Sequence, residues 1–355
     1  MKIGLMGFPH SGRTTIFNAL TSAEVDVQAY ATEKAEPNLA VVAVADERVT
    51  HLSRMYEPKK TIHATIEMMD FVGVTHDPSR HSALSDQSIT LLKNTDALAL
   101  VVRNYEDELM ESPNPLGDVS RVEEELLFSD LALCEGRLER IEKSYQRGKK
   151  TPQLQMEEKI VRRILEQLND ERPVRKLPMT KDEQKVIRGY QLLTEKPMMV
   201  VLNSNEENFG ENQVLLDKIS EEYRAIEFAG KFEMELSRLD EEEMTLFMED
   251  MGVTESARDR LTRMAYETLE YISFFTVGSD EVRAWTLRRG DTALDAAGTI
   301  HTDLARGFIR AECFSYDDLM ECGSEKGVKE KGRLRLEGKN YVVQDGDILS
   351  IRYNV

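Results

Sequence analysis

Cysteine is scarce: Cys134, Cys313 and Cys322 are the three in 355 residues, too scattered for a disulfide framework or a zinc site. A reducing, cytoplasmic setting is the expectation. No apolar run approaches the length that spans a bilayer, so no membrane contact is expected. The first residues enter a short strand at Lys2 without the extended apolar stretch and small-residue cleavage site of a signal peptide. Positive charge is short as well. A formal net charge of −19 repels phosphate backbones at long range and excludes a protein that binds nucleic acid over its whole surface. A local basic patch stays open.

What is present is an ordinary globular mixture, 41% hydrophobic and 31% charged. The chain is too long for one core and suits two or three domains. Its first part alternates strand and helix signals. Lys2–Met6, Thr65–Asp70, Ala97–Val102 and Met198–Leu202 read as apolar strands, and a helix starts near Thr14. That alternation predicts an α/β fold with a parallel, doubly wound sheet.

Between Asp118 and Lys196 the pattern changes. Leu127, Leu131, Cys134, Leu138, Ile141 and Tyr145 recur at spacings of four and three, a heptad-like stripe on one long helix. Gly148 and Pro152 break it, and Val161, Ile164, Leu165 and Leu168 line a second helix. The short connection predicts an antiparallel helical hairpin whose stripe is packing rather than a cofactor site. Pro173 and Pro178 close that unit, and Thr180 with Glu183 reads as a capping box for a third helix. From Phe274 onward, short strands and tight turns take over. Val282–Leu287, Gly307–Glu312, Tyr341–Val343 and Ile348–Tyr353 read as strands, with a short helix Ala293–Ala297 ended by Gly298. This predicts a compact β-grasp-like domain.

The chemistry concentrates in Gly7-Phe8-Pro9-His10-Ser11-Gly12-Arg13-Thr14, which fits the phosphate loop G-x-x-x-x-G-K-[ST] except that Arg13 replaces lysine. The glycines let main-chain N–H groups converge on phosphate, and the following helix points its positive end at the same anion. The Thr14 hydroxyl is placed to ligate magnesium. Asp70-Phe71-Val72-Gly73 ends a strand and fits a D-x-x-G motif, in which the carboxylate holds the metal through water and the glycine N–H meets the γ-phosphate. Asn203-Ser204-Asn205-Glu206 follows a later strand, where a base-reading loop belongs. Glutamate in place of aspartate there moves the acceptor and loosens the preference for guanine, leaving ATP and GTP both open. Three motifs in order, each after a strand, mark a nucleotide site.

These residues resemble the YchF / Obg-like ATPase family over nearly the whole chain. The likeness is strongest in Phe274–Gly278, Glu281–Thr286, Ala296–Asp303, Arg306–Glu312 and Val342–Asp347, which are similar to that family's TGS domain. Glu36-Pro37-Asn38 and Asp46-Glu47-Arg48 resemble its switch I region. Lys231–Leu236 resembles its last nucleotide motif, which brings Ala229 and Gly230 into the candidate site, and Asn203 to Glu206 matches its N-x-x-E. The resemblance implies a Ras-like P-loop domain over residues 1–117 and 197–270, a helical coiled-coil insertion over 118–196 and a TGS-like β-grasp domain over 271–355. It implies binding of ATP or GTP with Mg2+, contacts from Gly7, Pro9, His10, Ser11, Gly12, Arg13, Thr14, Thr15, Gly73, Asn203, Asn205, Glu206, Ala229 and Gly230, and metal ligation by Thr14 and Asp70. It also implies action at the ribosome, with the helical hairpin and the TGS domain as the contacts; a monomer is expected.

The departures from the family cluster in its catalytic parts. Arg13 stands for the loop lysine, and a wide planar guanidinium does not thread between phosphates as a compact ammonium does. Lys34 stands where the family has a switch I threonine. Val74 to Asp86 lacks the family's switch II glycines and contains Pro78. Leu100 takes the place of the histidine implicated in hydrolysis. The expectation is nucleotide binding with weak or lost hydrolysis, and the alternative is an interaction module that needs no nucleotide. His76 and His81 read either as exposed loop histidines or as replacement water-orienting groups. At the hairpin tip Arg147, Lys149 and Lys150 cluster, with Lys143, Lys159, Arg162 and Arg163 nearby. This reads either as an arm for ribosomal RNA on an acidic body or as a solvated helix surface. Trp285 reads as packing rather than a base-stacking platform.

Overall fold

The structure, a computed structural model, describes residues 1–21, 37–70, 84–107, 110–239, 243–244, 246, 248 and 255–354. By its contacts the chain forms two compact units, Met1–Val41 with Glu67–Arg258, and Val42–Ile66 with Asp259–Val355.

In the first unit, β1 (Lys2–Met6) lies between β4 (Thr65–Asp70) and β5 (Ala97–Asn104), and β6 (Met198–Ser204) and β7 (Arg224–Phe228) continue outward. Each of these neighbours pairs in parallel. With β2 (Asn38–Ala43) on the far edge, the order is β2-β4-β1-β5-β6-β7. The central strands are buried along almost their whole length, which is why they read as unbroken apolar runs. Consecutive parallel strands need crossovers, and α1 (Arg13–Thr21), which follows β1, opens the first. The strands' carboxyl ends therefore meet α1 at one edge of the sheet, where ligands of open α/β sheets bind.

The hairpin consists of two helices, Pro115–Gln146 and Pro152–Asn169. Both start as their sequences require: Asn114 and Thr151 accept hydrogen bonds from Gly117 and Leu154 main-chain N–H groups, and a proline occupies the first turn of each. Gly148, at φ 77°, supplies the left-handed turn between them. The predicted stripe is the seam: Leu127, Cys134, Ile160, Val161, Ile164 and Leu168 form one buried cluster, with Leu131, Leu138 and Leu165 against it. Each such aliphatic side chain contributes about 1.5–3 kcal/mol of burial. At the root, Val119, Val122 and Leu126 join the core of the sheet. Asp130, fully buried, accepts bonds from Leu193 N (2.9 Å), Thr194 N (2.7 Å) and Thr194 Oγ1 (2.7 Å). The Thr180–Glu183 capping box opens Lys181–Ile187 as predicted.

In the second unit the sheet order is β11-β10-β12-β8-β9-β3, with β3 (Lys60–Ile62), β8 (Tyr271–Thr276), β9 (Glu281–Arg288), β10 (Phe308–Ser315), β11 (Arg335–Glu337) and β12 (Asp347–Tyr353). Ala293, Ala296 and Ala297 bring a helix onto it. Two local expectations are corrected. Gly298 does not end that helix, which runs Ala293–Ile300. The capping box from Thr292 and Asp295 starts it firmly, and a single internal glycine costs only about 1 kcal/mol. Tyr341–Val343 is no strand: Val342 makes one isolated bridge to Thr292. The Trp285 ring stacks on Phe274 at 6.4 Å, lies under Arg283 and donates its N–H to Thr276, so it is packed and satisfied. Asp46 caps the helix Glu47–Tyr56, and Arg48 beneath it bridges Asp46 and Asp345 beside the Phe275 ring. Of the residues read as resembling switch I, Asp46–Arg48 therefore anchor this unit.

Candidate functional site

The loop between β1 and α1 is held open from outside. Two of its carbonyls are held by residues beyond it: His10 O accepts the Tyr105 hydroxyl (2.7 Å) and Ser11 O accepts Asn203 Nδ2 (2.9 Å), while Phe8 O accepts Ser11 N (3.1 Å) within the loop. The first intrahelical bond of α1 is Ile16 N to Gly12 O at 2.9 Å. The amides of Arg13, Thr14 and Thr15 precede it and have no helical acceptor. They gather the positive end of the helix at the loop mouth.

The glycines are needed for two different reasons. Gly12 sits at φ 82°, and a Cβ there would lie 2.0 Å from Asn203 Nδ2. A Cβ at Gly7 would lie 2.5 Å from Val101 O and 2.7 Å from Ser11 Oγ. His10 also adopts the left-handed region, at φ 62°, a conformation costly for a residue with a side chain and stabilised here by the Tyr105 bond. Within this concavity the Ser11 Oγ is buried and has no hydrogen-bond partner among the described residues. An orphaned hydroxyl beside unpaired helix amides fits an acceptor-rich anion such as a phosphate group. Pro9 and His10 lie exposed on the rim.

Asn203, at the end of β6, is 4% exposed, and both ends of its amide are used. Nδ2 holds Ser11 O, and Oδ1 accepts Gly230 N at 3.1 Å. It therefore ties the phosphate loop to the segment Ala229–Gly230 that opens the helix Gly230–Leu236. Asn205 Oδ1 accepts Asn208 N (3.2 Å) and shapes the loop, while Glu206 extends exposed from it. Glu227 on β7 fixes the same loop through Ser204 Oγ (2.5 Å), Gly210 N (3.1 Å) and Asn212 Nδ2 (2.6 Å).

Asp70 ends β4 and is 3% exposed. One carboxylate oxygen receives Arg13 Nε, and the other receives the Thr14 hydroxyl at 3.1 Å and Asn38 Nδ2 at 3.5 Å. The two residues expected to hold Mg2+ thus bond to each other, and a guanidinium occupies the carboxylate's remaining oxygen. The guanidinium's positive charge already lies against the carboxylate that would hold magnesium through water, so the pair disfavours the ion there. Leu100 is fully buried on β5 and joins the core cluster with Met6 and Val200, so it brings no protonatable group to the site. Gly73, Lys34, His76, His81 and the remainder of the two switch sequences from 22 to 36 and 71 to 83 lie outside the described residues.

Sequence reasoning missed Tyr105 as the loop's outer clamp. A polar aromatic just past the end of a strand next to the phosphate-loop strand was the available signal. It also missed the Arg13–Asp70 pair, which neither motif reveals by itself.

On the hairpin, several cations are spent within the arm. Lys143 pairs with Glu139, Arg162 with Glu142 and Glu158, and Arg163 with Glu183. Arg147, Lys149 and Lys150 at the tip make no ion pair among the described residues, and Lys150 lies over the Tyr145 ring at 5.5 Å.

Comparison with known proteins bears on the whole chain. A family model for 50S ribosome-binding GTPases matches residues 2–130, and one for the YchF GTPase C-terminal region, described as a protein of unknown function, matches residues 271–354. The ribosome-binding ATPase YchF of Pasteurella multocida is 36% identical over 363 residues, covering 100% of this chain and 99% of its own. That of Bacillus subtilis is 34% identical over 366 residues and is covered completely. The solved structure of the Schizosaccharomyces pombe YchF GTPase superposes with a TM-score of 0.85 at 30% identity, over 99% of this chain and 97% of its own.

Proposed function

The chain belongs to the YchF family of P-loop proteins, and we propose that it is a cytoplasmic nucleotide-binding regulator that takes up ATP or GTP, hydrolyses it weakly or not at all, and acts at the ribosome. One observation carries the nucleotide reading. The phosphate loop has two carbonyls held by Tyr105 and Asn203, helix amides without a helical acceptor, and a buried Ser11 hydroxyl with no partner among the described residues. A loop held in that shape is preorganised for phosphate oxygens. Glu206, exposed beyond Asn203, supplies an acceptor for the N–H groups of a base, and its extra methylene relative to aspartate favours adenine being accepted.

The reduced hydrolysis rests on two described positions. Leu100 offers no general base or water-orienting group, and Arg13, bonded to Asp70 through Nε, does not reach forward between the phosphates as a lysine ammonium does. The same two features favour a second reading, a scaffold that serves its partner without nucleotide. Titration calorimetry with ATP, GTP and their diphosphates separates the two. Binding of at least one triphosphate supports the first reading, and heat from none of them leaves the second.

For the ribosome, the relatives' names motivate the proposal and the hairpin tip supports it. Arg147, Lys149 and Lys150 carry positive charge and make no ion pair among the described residues of an otherwise acidic chain, which suits a short contact with phosphate backbone. The C-terminal unit is the second proposed contact. Reversing the three tip residues to Glu is expected to weaken cosedimentation with ribosomes by tenfold or more at low salt, on the order of one to two lost phosphate contacts. Unchanged pelleting would reject the arm.

A further inference from the structure

We propose that the Arg13 guanidinium replaces the divalent cation of the site, so that this chain binds its nucleoside triphosphate without magnesium. The inference rests on the nucleotide reading above and deepens it. A magnesium ion in a phosphate loop places positive charge between a strand-end carboxylate and the phosphate oxygens. Here that carboxylate is Asp70, and the charge already in contact with it belongs to the protein.

The geometry is specific. Arg13 uses only Nε on Asp70. Its two terminal nitrogens have no partner among the described residues, although the side chain is only 15% exposed. A planar guanidinium with one edge on a carboxylate presents further N–H groups at fixed angles and suits bidentate contact with phosphate. The residue also starts α1, so its main-chain amide and its unspent donors belong to the same anion seat. Both oxygens of Asp70 already accept hydrogen bonds. Arg13 holds Oδ1, while Thr14 and Asn38 converge on Oδ2. An ion bridging from Asp70 would have to displace a cation already bonded to it, or sit beside that cation with like charge repelling it. Lysine, the residue the motif expects, differs in the relevant respect: its compact ammonium on a flexible stem can reach forward to phosphate and leave the carboxylate to a metal.

The test compares ATP binding to the full-length wild-type protein in magnesium with binding in excess EDTA, by titration calorimetry. Affinity in EDTA at least equal to that in magnesium is the expected result. Affinity weaker by two orders of magnitude in EDTA would overturn metal independence while leaving the nucleotide reading intact. No heat in either buffer would overturn the nucleotide reading and this inference with it. The Arg13→Lys variant, checked for folding by circular dichroism, is expected to invert the preference and bind more tightly in magnesium. A variant as indifferent to magnesium as the wild type would refute the role given to the guanidinium.

Discussion

Replacing Asn203 by alanine tests whether this side chain holds the phosphate loop in shape or simply reads a base. The substitution removes two hydrogen bonds, from Nδ2 to Ser11 O at 2.9 Å and from Gly230 N to Oδ1 at 3.1 Å. Both abandoned groups belong to buried residues, and each unsatisfied group costs about 1–3 kcal/mol. Partial relaxation into the vacated space brings the expected total to about 3 kcal/mol. For a unit of this size class that corresponds to a melting shift of roughly 6–12 °C. Thermal unfolding followed by circular dichroism measures it, with ATP titration in parallel. The account expects stability and affinity to fall together, because an untethered loop no longer presents its amides at one point. The Asn203→Asp variant sharpens the test. It keeps an acceptor for Gly230 N but sets a carboxylate oxygen against Ser11 O, so it is expected to be at least as damaging as alanine. If the alanine variant melts like wild type and loses affinity only, Asn203 is a direct base contact and the tether argument fails. An aspartate variant as stable as wild type would refute it equally.

Other perturbations follow from the same geometry. Tyr105→Phe removes the bond to His10 O, and because His10 is exposed, water replaces it. Stability is expected to change by less than about 1 kcal/mol and ATP affinity to weaken about two- to fivefold, measured by calorimetry. Asp130→Ala leaves two main-chain amides and a hydroxyl without their acceptor at the hairpin root. It is expected to destabilise by about 3 kcal/mol or more in urea titration; a loss under about 1 kcal/mol would contradict the clasp. Burial works to raise the Glu157 carboxyl, but hydrogen bonds from Arg137 and Tyr190 prevail and hold it below its ordinary 4.5. A lowered carboxyl stabilises above that ordinary value, and the contribution disappears as pH falls through the lower folded value. Glu157→Gln is therefore expected to flatten the acid limb of stability below about 4.5, and an unchanged slope would rule the pair out.

Much of this architecture was legible because period and punctuation agree. The buried central strands Lys2–Met6, Thr65–Asp70 and Met198–Ser204 read as apolar runs because parallel strands are covered on both faces. The hairpin read as a four-three stripe because two helices bury one seam between them. Local signals failed where tertiary context outweighed them. Gly298 looks like a helix stop, yet a firm capping box ahead of it and packed alanines carry the helix on to Ile300. Tyr341–Val343 has strand composition, but only Val342 finds a bridge. Lys60–Ile62 joins the C-terminal sheet beside Glu281–Arg288, a pairing across more than half the sequence that no local pattern encodes. At the site, the phosphate-loop glycines and Asn203 were visible as motif members. The pairing of Arg13 with Asp70 was not, because each residue was read for its own motif, and their meeting depends on the parallel register of Leu5 with Asp70. Tyr105 was missed although its place just past a strand end was a signal, because its hydroxyl acts on a loop far back in the sequence.

The most direct measurement is main-chain amide NMR of the phosphate loop, with glycine, serine and threonine selectively labelled, as ATP is added. Gly12, Thr14 and Thr15 are expected to show the largest amide shifts, with Ser11 moving with them, at an affinity matching calorimetry. Shifts confined to other parts of the chain, or none at saturating ATP, would contradict the reading of this loop as a seat for phosphate.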